Sequence, residues 1–186
     1  VEAWSGWLAG LTLVCGVAAG VQAAAHLPAA ERIGLAEGIA GYVRARSGGE
    51  LAVFWPAASA WLRAAAPVWT AGLWPKVGVG LVALALGLHG FSLGMAFGTA
   101  AVLGPAGLGA AAVSVLPGNL LALPTLCYLG ARAAGLALGR DGGFDRVPPA
   151  YLWLGAAALA GVTVSSACEA ALAPLLLRAV GVALPG

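Results

Sequence analysis

The chain has 186 residues, 61% of them hydrophobic and only 9% charged, with a formal net charge of +2 and a mean hydropathy of +0.96. A soluble domain carries roughly 25% charged residues, so this composition cannot cover the surface of a water-soluble body, and no basic stripe points to nucleic acid. The longest stretch without Asp, Glu, Lys or Arg runs over residues 77–131, and since a membrane helix needs ~20 apolar residues, it holds at least two spans.

The first span is read over residues 4–27, uncharged, with Trp4 and Trp7 near its start, where tryptophan favours the membrane–water interface. The chain opens at Val1 without a methionine, so an N-terminal segment is expected ahead of it. Residues 28–58 read as a polar loop. Glu31, Arg32, Glu37, Arg44, Arg46 and Glu50 alternate there with Ile33, Leu35, Ile39 and Val43 at roughly helical spacing. The pattern predicts an amphipathic helix on the extracytoplasmic surface, weakened by Gly34, Gly38 and Gly41. The alternative is a solvated loop helix. Residues 59–74 form a short predicted span with Arg63 snorkelling to the outer surface. The alternative is a re-entrant or interfacial element, and Pro56, Pro67 and Pro75 read as breaks.

The third span covers residues 77–103. Gly90, Gly94 and Gly98 repeat at four-residue spacing, which lets a second helix approach closely. Gly6/Gly10 and Gly16/Gly20 repeat that spacing, and the surplus suggests a homodimer. Gly104-Pro105 is a turn signal. The fourth span, 106–131, contains Pro117 and Pro124 and is expected to be kinked or locally unwound. Arg132, Arg140 and Arg146 bracket a polar turn, and the fifth span, 147–173, contains Glu169 and is ended or kinked by Pro174. The expected fold is therefore an all-α polytopic bundle in a single membrane domain, with about five transmembrane helices plus the amphipathic helix. The positive-inside rule puts the 132–146 turn, Lys76 and the N-terminus in the cytoplasm and the C-terminus outside. Three Arg in residues 28–50 oppose this assignment.

Glu169 is the sharpest candidate residue, since a carboxylate within a span must be paired, protonated or facing a cavity. Arg178, another helix or a partner chain is the expected counter-group. The opposing reading puts it at the headgroup level, on the edge of the outward face. His89 reads as a hydrogen-bonded structural histidine rather than a proton relay, and Asn119 as a glue residue between two prolines. Cys15, Cys127 and Cys168 lie in apolar runs without metal-ligand spacing and read as core residues. No nucleophile–base pair, metal motif or phosphate loop stands out, so the chain is expected to have no catalytic, cofactor or metal site.

The segment Val113-Ser114-Val115-Leu116-Pro117-Gly118-Asn119-Leu120-Leu121-Ala122-Leu123-Pro124 resembles the central signature of the stage II sporulation protein M family. Leu116, Pro117, Asn119 and Pro124 match its Leu-Pro-x-Asn…Pro run. Glu169-Ala170 followed by Pro174 resembles its Glu-Ala…Pro ending, and Gly90-Phe91 through Phe97-Gly98 its glycine-studded helix. Where the wider family shows Pro-His-Gly and a Glu, this chain has Pro117-Gly118-Asn119 and Ala122, as in the sporulation branch. The resemblance implies a non-enzymatic anchor in the mother-cell membrane. Such an anchor recruits stage II sporulation proteins D and P, which remodel peptidoglycan during forespore engulfment. The competing expectation is a small-solute transporter or channel subunit with its site at Pro117, Asn119, Pro124 and Glu169.

Overall fold

The computed structural model describes residues 2–45, 50–102, 104–139 and 147–179. Among these residues it is an all-α bundle of six helices with no strand. They are α1 (Glu2–His26), α2 (Ala29–Ala45), α3 (Glu50–Ala71), α4 (Val77–Val102), α5 (Gly104–Leu138) and α6 (Pro149–Ala179). Four segments, Trp4–His26, Val77–Val102, Gly104–Leu138 and Pro149–Leu176, are long and apolar enough to cross a membrane. The chain is thus a multi-pass membrane protein. α3 traverses the bundle beside them and is about 33 Å long at 1.5 Å per residue.

Small residues set how closely these helices pack. α1 and α4 run parallel in close contact: a methyl on Gly16 would overlap Gly87 O, and one on Gly20 would overlap Phe91 O. In return, Gly90 faces Leu13 O and Gly94 faces Val17 O, while a methyl on Gly98 would come within 2.7 Å of Ala24 Cβ. Lipid tails are as apolar as the side chains, so close packing rather than water exclusion holds such a pair together. The glycines expected to serve packing therefore do so within the chain. Gly6 and Gly10, by contrast, have nothing within 4 Å.

α3 differs from its expected form. It begins at Glu50 and ends at Ala71, instead of covering 59–74, and it passes Pro56 and Pro67 without a break. Val53, Ala57, Trp61, Ala65, Val68 and Ala71 form its buried face, while Trp55 and Leu62 are exposed. Nearby hydroxyls bind carbonyls at both prolines, with Ser59 Oγ donating to Pro56 O at 2.9 Å and Thr70 Oγ1 to Ala66 O at 2.9 Å.

α5 is likewise continuous through Pro117 and Pro124 and reaches Leu138, so the expected local unwinding is not seen and Arg132 lies within the helix instead of in a turn. Thr125 Oγ1 donates to Leu121 O at 2.8 Å beside Pro124. Pro174 does not end α6, which runs on to Ala179. α2 confirms a helix in the polar segment, with Ile33 and Leu35 exposed and only light packing on the bundle. Arg46, Arg140 and Arg146 lie outside the described residues, as do the side chains of Arg44, Glu50 and Arg178.

Two ends result. At one, the start of α1, the α3–α4 turn, the end of α5 and the start of α6 come together. Lys76 sits there in a left-handed conformation (φ 62), its amide donating to Ala137 O at 3.1 Å. Trp69 stacks on Tyr151 (6.0 Å, 7°), and the Tyr151 hydroxyl donates to Trp69 O at 2.6 Å. The other end carries the end of α1, α2, the α4–α5 turn with Gly104 (φ 73), and the end of α6. Lys76 and Arg132 share the first end with the start of α1, in keeping with the positive-inside reading.

Candidate functional site

The polar groups with the most to lose from burial in lipid converge midway through the bundle. Glu169, on α6, is 5% exposed. Its carboxylate rests on α5 at Gly118, where a Cβ would overlap Glu169 Oε2 and oblige the carboxylate to shift. Trp61, from the buried face of α3, donates its indole N–H to the same Oε2 at 3.3 Å, just beyond the usual range for an N–H donor and hence a weak bond. One turn before Glu169, Ser165 Oγ donates to Gly118 O at 2.6 Å. α6 thus grips a single residue of α5 twice, once through a hydroxyl and once through a carboxylate.

The indole of Trp61 also packs on His89, with ring centroids 5.1 Å apart and planes inclined by 50°. His89 lies halfway along α4 and Trp61 halfway along α3. Glu169 is therefore at depth and inside the protein, not at the headgroup level, and the bundle shields it from a partner. Of the candidate counter-groups, another helix reaches it through Trp61; the side chain of Arg178 lies outside the described residues.

The signature residues divide by exposure. Pro117 and Asn119 are buried on either side of Gly118 in α5, and Leu116 is exposed. Asn119 Nδ2 donates to Val115 O at 2.7 Å, one turn back on its own helix, while Oδ1 is buried with no hydrogen-bond partner among the described residues. Asn119 therefore neither bonds across helices nor caps the carbonyl that Pro117 frees. Pro124 borders a shallow cleft with Thr125 and Tyr128, and Pro174 is half-buried within α6. Cys15 is exposed and Cys127 and Cys168 are half-buried, so the expectation of three core thiols fails for Cys15, which lies on the lipid-facing side of α1.

The chemistry available here is limited by how the hydroxyls are used. Ser114, Ser165 and Ser166 donate to backbone carbonyls of Ala110, Gly118 and Val162, which is how small polar side chains stabilise helices in lipid. The Trp61 indole stands between His89 and Glu169, and no group of three metal-ligating residues occurs among the described residues. Trp61, Gly118 and Ser165 were not evident as site residues from sequence. Their signal is positional: Trp61 continues the i, i+4 series Val53, Ala57, Trp61, Ala65 that marks the buried face of α3. No family model matches the chain, and neither curated proteins nor solved structures give a match.

Proposed function

We propose that the chain is a non-enzymatic membrane anchor of the stage II sporulation protein M type, which holds peptidoglycan-remodelling partners at a bacterial cell membrane during engulfment. One observation supports the reading. The two segments that carry the resemblance, 113–124 and 169–174, meet in space where the Glu169 carboxylate rests on Gly118. A carboxylate seated on a glycine and held by an indole from a third helix serves to fix helix positions, which is what a body that presents a surface needs. The partners implied are stage II sporulation proteins D and P, and the membrane is that of the mother cell. The partner-facing end is the one carrying α2, the α4–α5 turn and the end of α6.

The test is localisation in sporulating cells. Fluorescent fusions of proteins D and P collect at the engulfing membrane when the chain is present and disperse when its gene is deleted. Undisturbed localisation in the deletion strain removes the anchoring role. A solute flux that depends on the chain in liposomes would favour the transporter reading in its place.

A further inference from the structure

Arg63 is the one charged residue in the described part of α3 whose side chain is placed, and it is exposed. It lines a cleft between α3 and α4 together with Leu81, Leu84, Leu88, His89 and Ser92. Those α4 residues belong to one of the four segments apolar enough to cross the membrane, so the cleft opens sideways at bilayer depth rather than towards water. Arg63 makes no hydrogen bond or ion pair among the described residues, and in the same cleft wall His89 Nε2 is buried without a partner. An uncompensated guanidinium facing hydrocarbon is costly, and intramembrane ionisable groups almost always pair or face a polar interior. Arginine also keeps its charge where other basic groups would lose it. Apart from His89, Thr70 and Ser92 the rest of the cleft is apolar, and it is elongated along two helices, a shape that takes another helix.

From this charge and shape we infer that the α3–α4 cleft binds a transmembrane helix of a partner protein, with a carboxylate of that helix pairing with Arg63. The inference rests on the anchoring reading only for which proteins supply the helix. A second copy of this chain is a poor occupant. Its carboxylates whose side chains are described are Glu31 and Glu37, on the polar helix α2, and Glu169, which is already enclosed.

The test uses the full chain in phosphatidylcholine vesicles and a dansyl-labelled poly-leucine transmembrane peptide carrying one central Glu, with an all-Leu peptide as control. Energy transfer from the protein's tryptophans reports binding. The Glu peptide binds roughly 30-fold more tightly than the control, in line with the coupling of desolvated charge pairs. Arg63→Leu abolishes the preference; if that variant fails to accumulate, Arg63→Lys retains the preference and Arg63→Gln loses it. Equal binding of the two peptides, or a preference that survives Arg63→Gln, overturns the inference. So does a dimer that Arg63→Gln dissociates, or, in parallel vesicles that also contain phosphatidylglycerol, loss of that bound lipid in Arg63→Gln without any change in peptide binding, since these assign the cleft to a second copy or to a lipid headgroup. Pull-down of proteins D and P by the unmutated chain is scored separately. Capture without a Glu-peptide preference sinks the cleft alone, and a preference without capture sinks the anchoring reading alone.

Discussion

Trp61 and Glu169, separated by 108 positions in sequence, share one hydrogen bond of 3.3 Å at the centre of the bundle. The bond joins α3, the least apolar of the long helices, to α6, and it sits where α5 contributes Gly118. Trp61→Phe keeps an aromatic ring and removes the donor. The expected loss is about 0.5–1 kcal/mol, the lower part of the range for a hydrogen bond, read as a lower thermal midpoint in detergent. An unchanged midpoint would mean that the bond contributes nothing.

Gly118 provides the sharper steric test. Gly118→Ala puts a methyl group against the Glu169 carboxylate and is expected to cost about 1–3 kcal/mol, as overpacking does. Gly109→Ala, on the same helix with nothing within 4 Å, is expected to be neutral or to stabilise by up to about 1 kcal/mol. Comparable thermal midpoints for the two variants would refute the close seat of Glu169 on α5.

Glu169→Gln keeps the shape and an acceptor for Trp61, so the variant is expected to accumulate in membranes with a modestly lower midpoint and to capture partners normally per folded molecule. Glu169→Leu, which leaves Trp61 Nε1 without its acceptor, is expected to lower abundance further. Capture lost in Glu169→Gln at normal abundance would return the carboxylate to a partner-facing role.

Gly90→Ala and Gly94→Ala are expected to separate α1 from α4, because each methyl overlaps a backbone carbonyl of α1. Gly6→Ala and Gly10→Ala are expected to leave the monomer's midpoint unchanged. On α1, the glycines left open for a homodimer contact are Gly6 and Gly10, beside the exposed Trp4 and Trp7. A crosslinking yield lower in Gly10→Leu than in wild type would identify that face, and equal yields would exclude it.

Much of the fold was legible in the sequence. Length and apolarity alone mark α1, α4, α5 and α6, and the glycines at 90, 94 and 98 announce a close helix contact. The course of α3 was not legible, because Pro56 and Pro67 act as breaks in water, whereas in a membrane bundle the packing of neighbouring helices allows the helix to continue. The depth of Glu169 was hidden for a similar reason. Near Pro174 it looks terminal, but α6 runs past that proline to Ala179 and leaves Glu169 inside. Its partners lie on two other helices, and one sequence cannot show which residues face each other across a bundle.

Capture of partners is the claim on which the functional account stands, and co-purification measures it most directly. Affinity-tagged chain, co-expressed with stage II sporulation proteins D and P and extracted in mild detergent, is expected to retain both through washing, while an unrelated multi-pass protein of similar size retains neither. Recovery of the folded chain free of both proteins, at yields where the control behaves identically, would contradict the account.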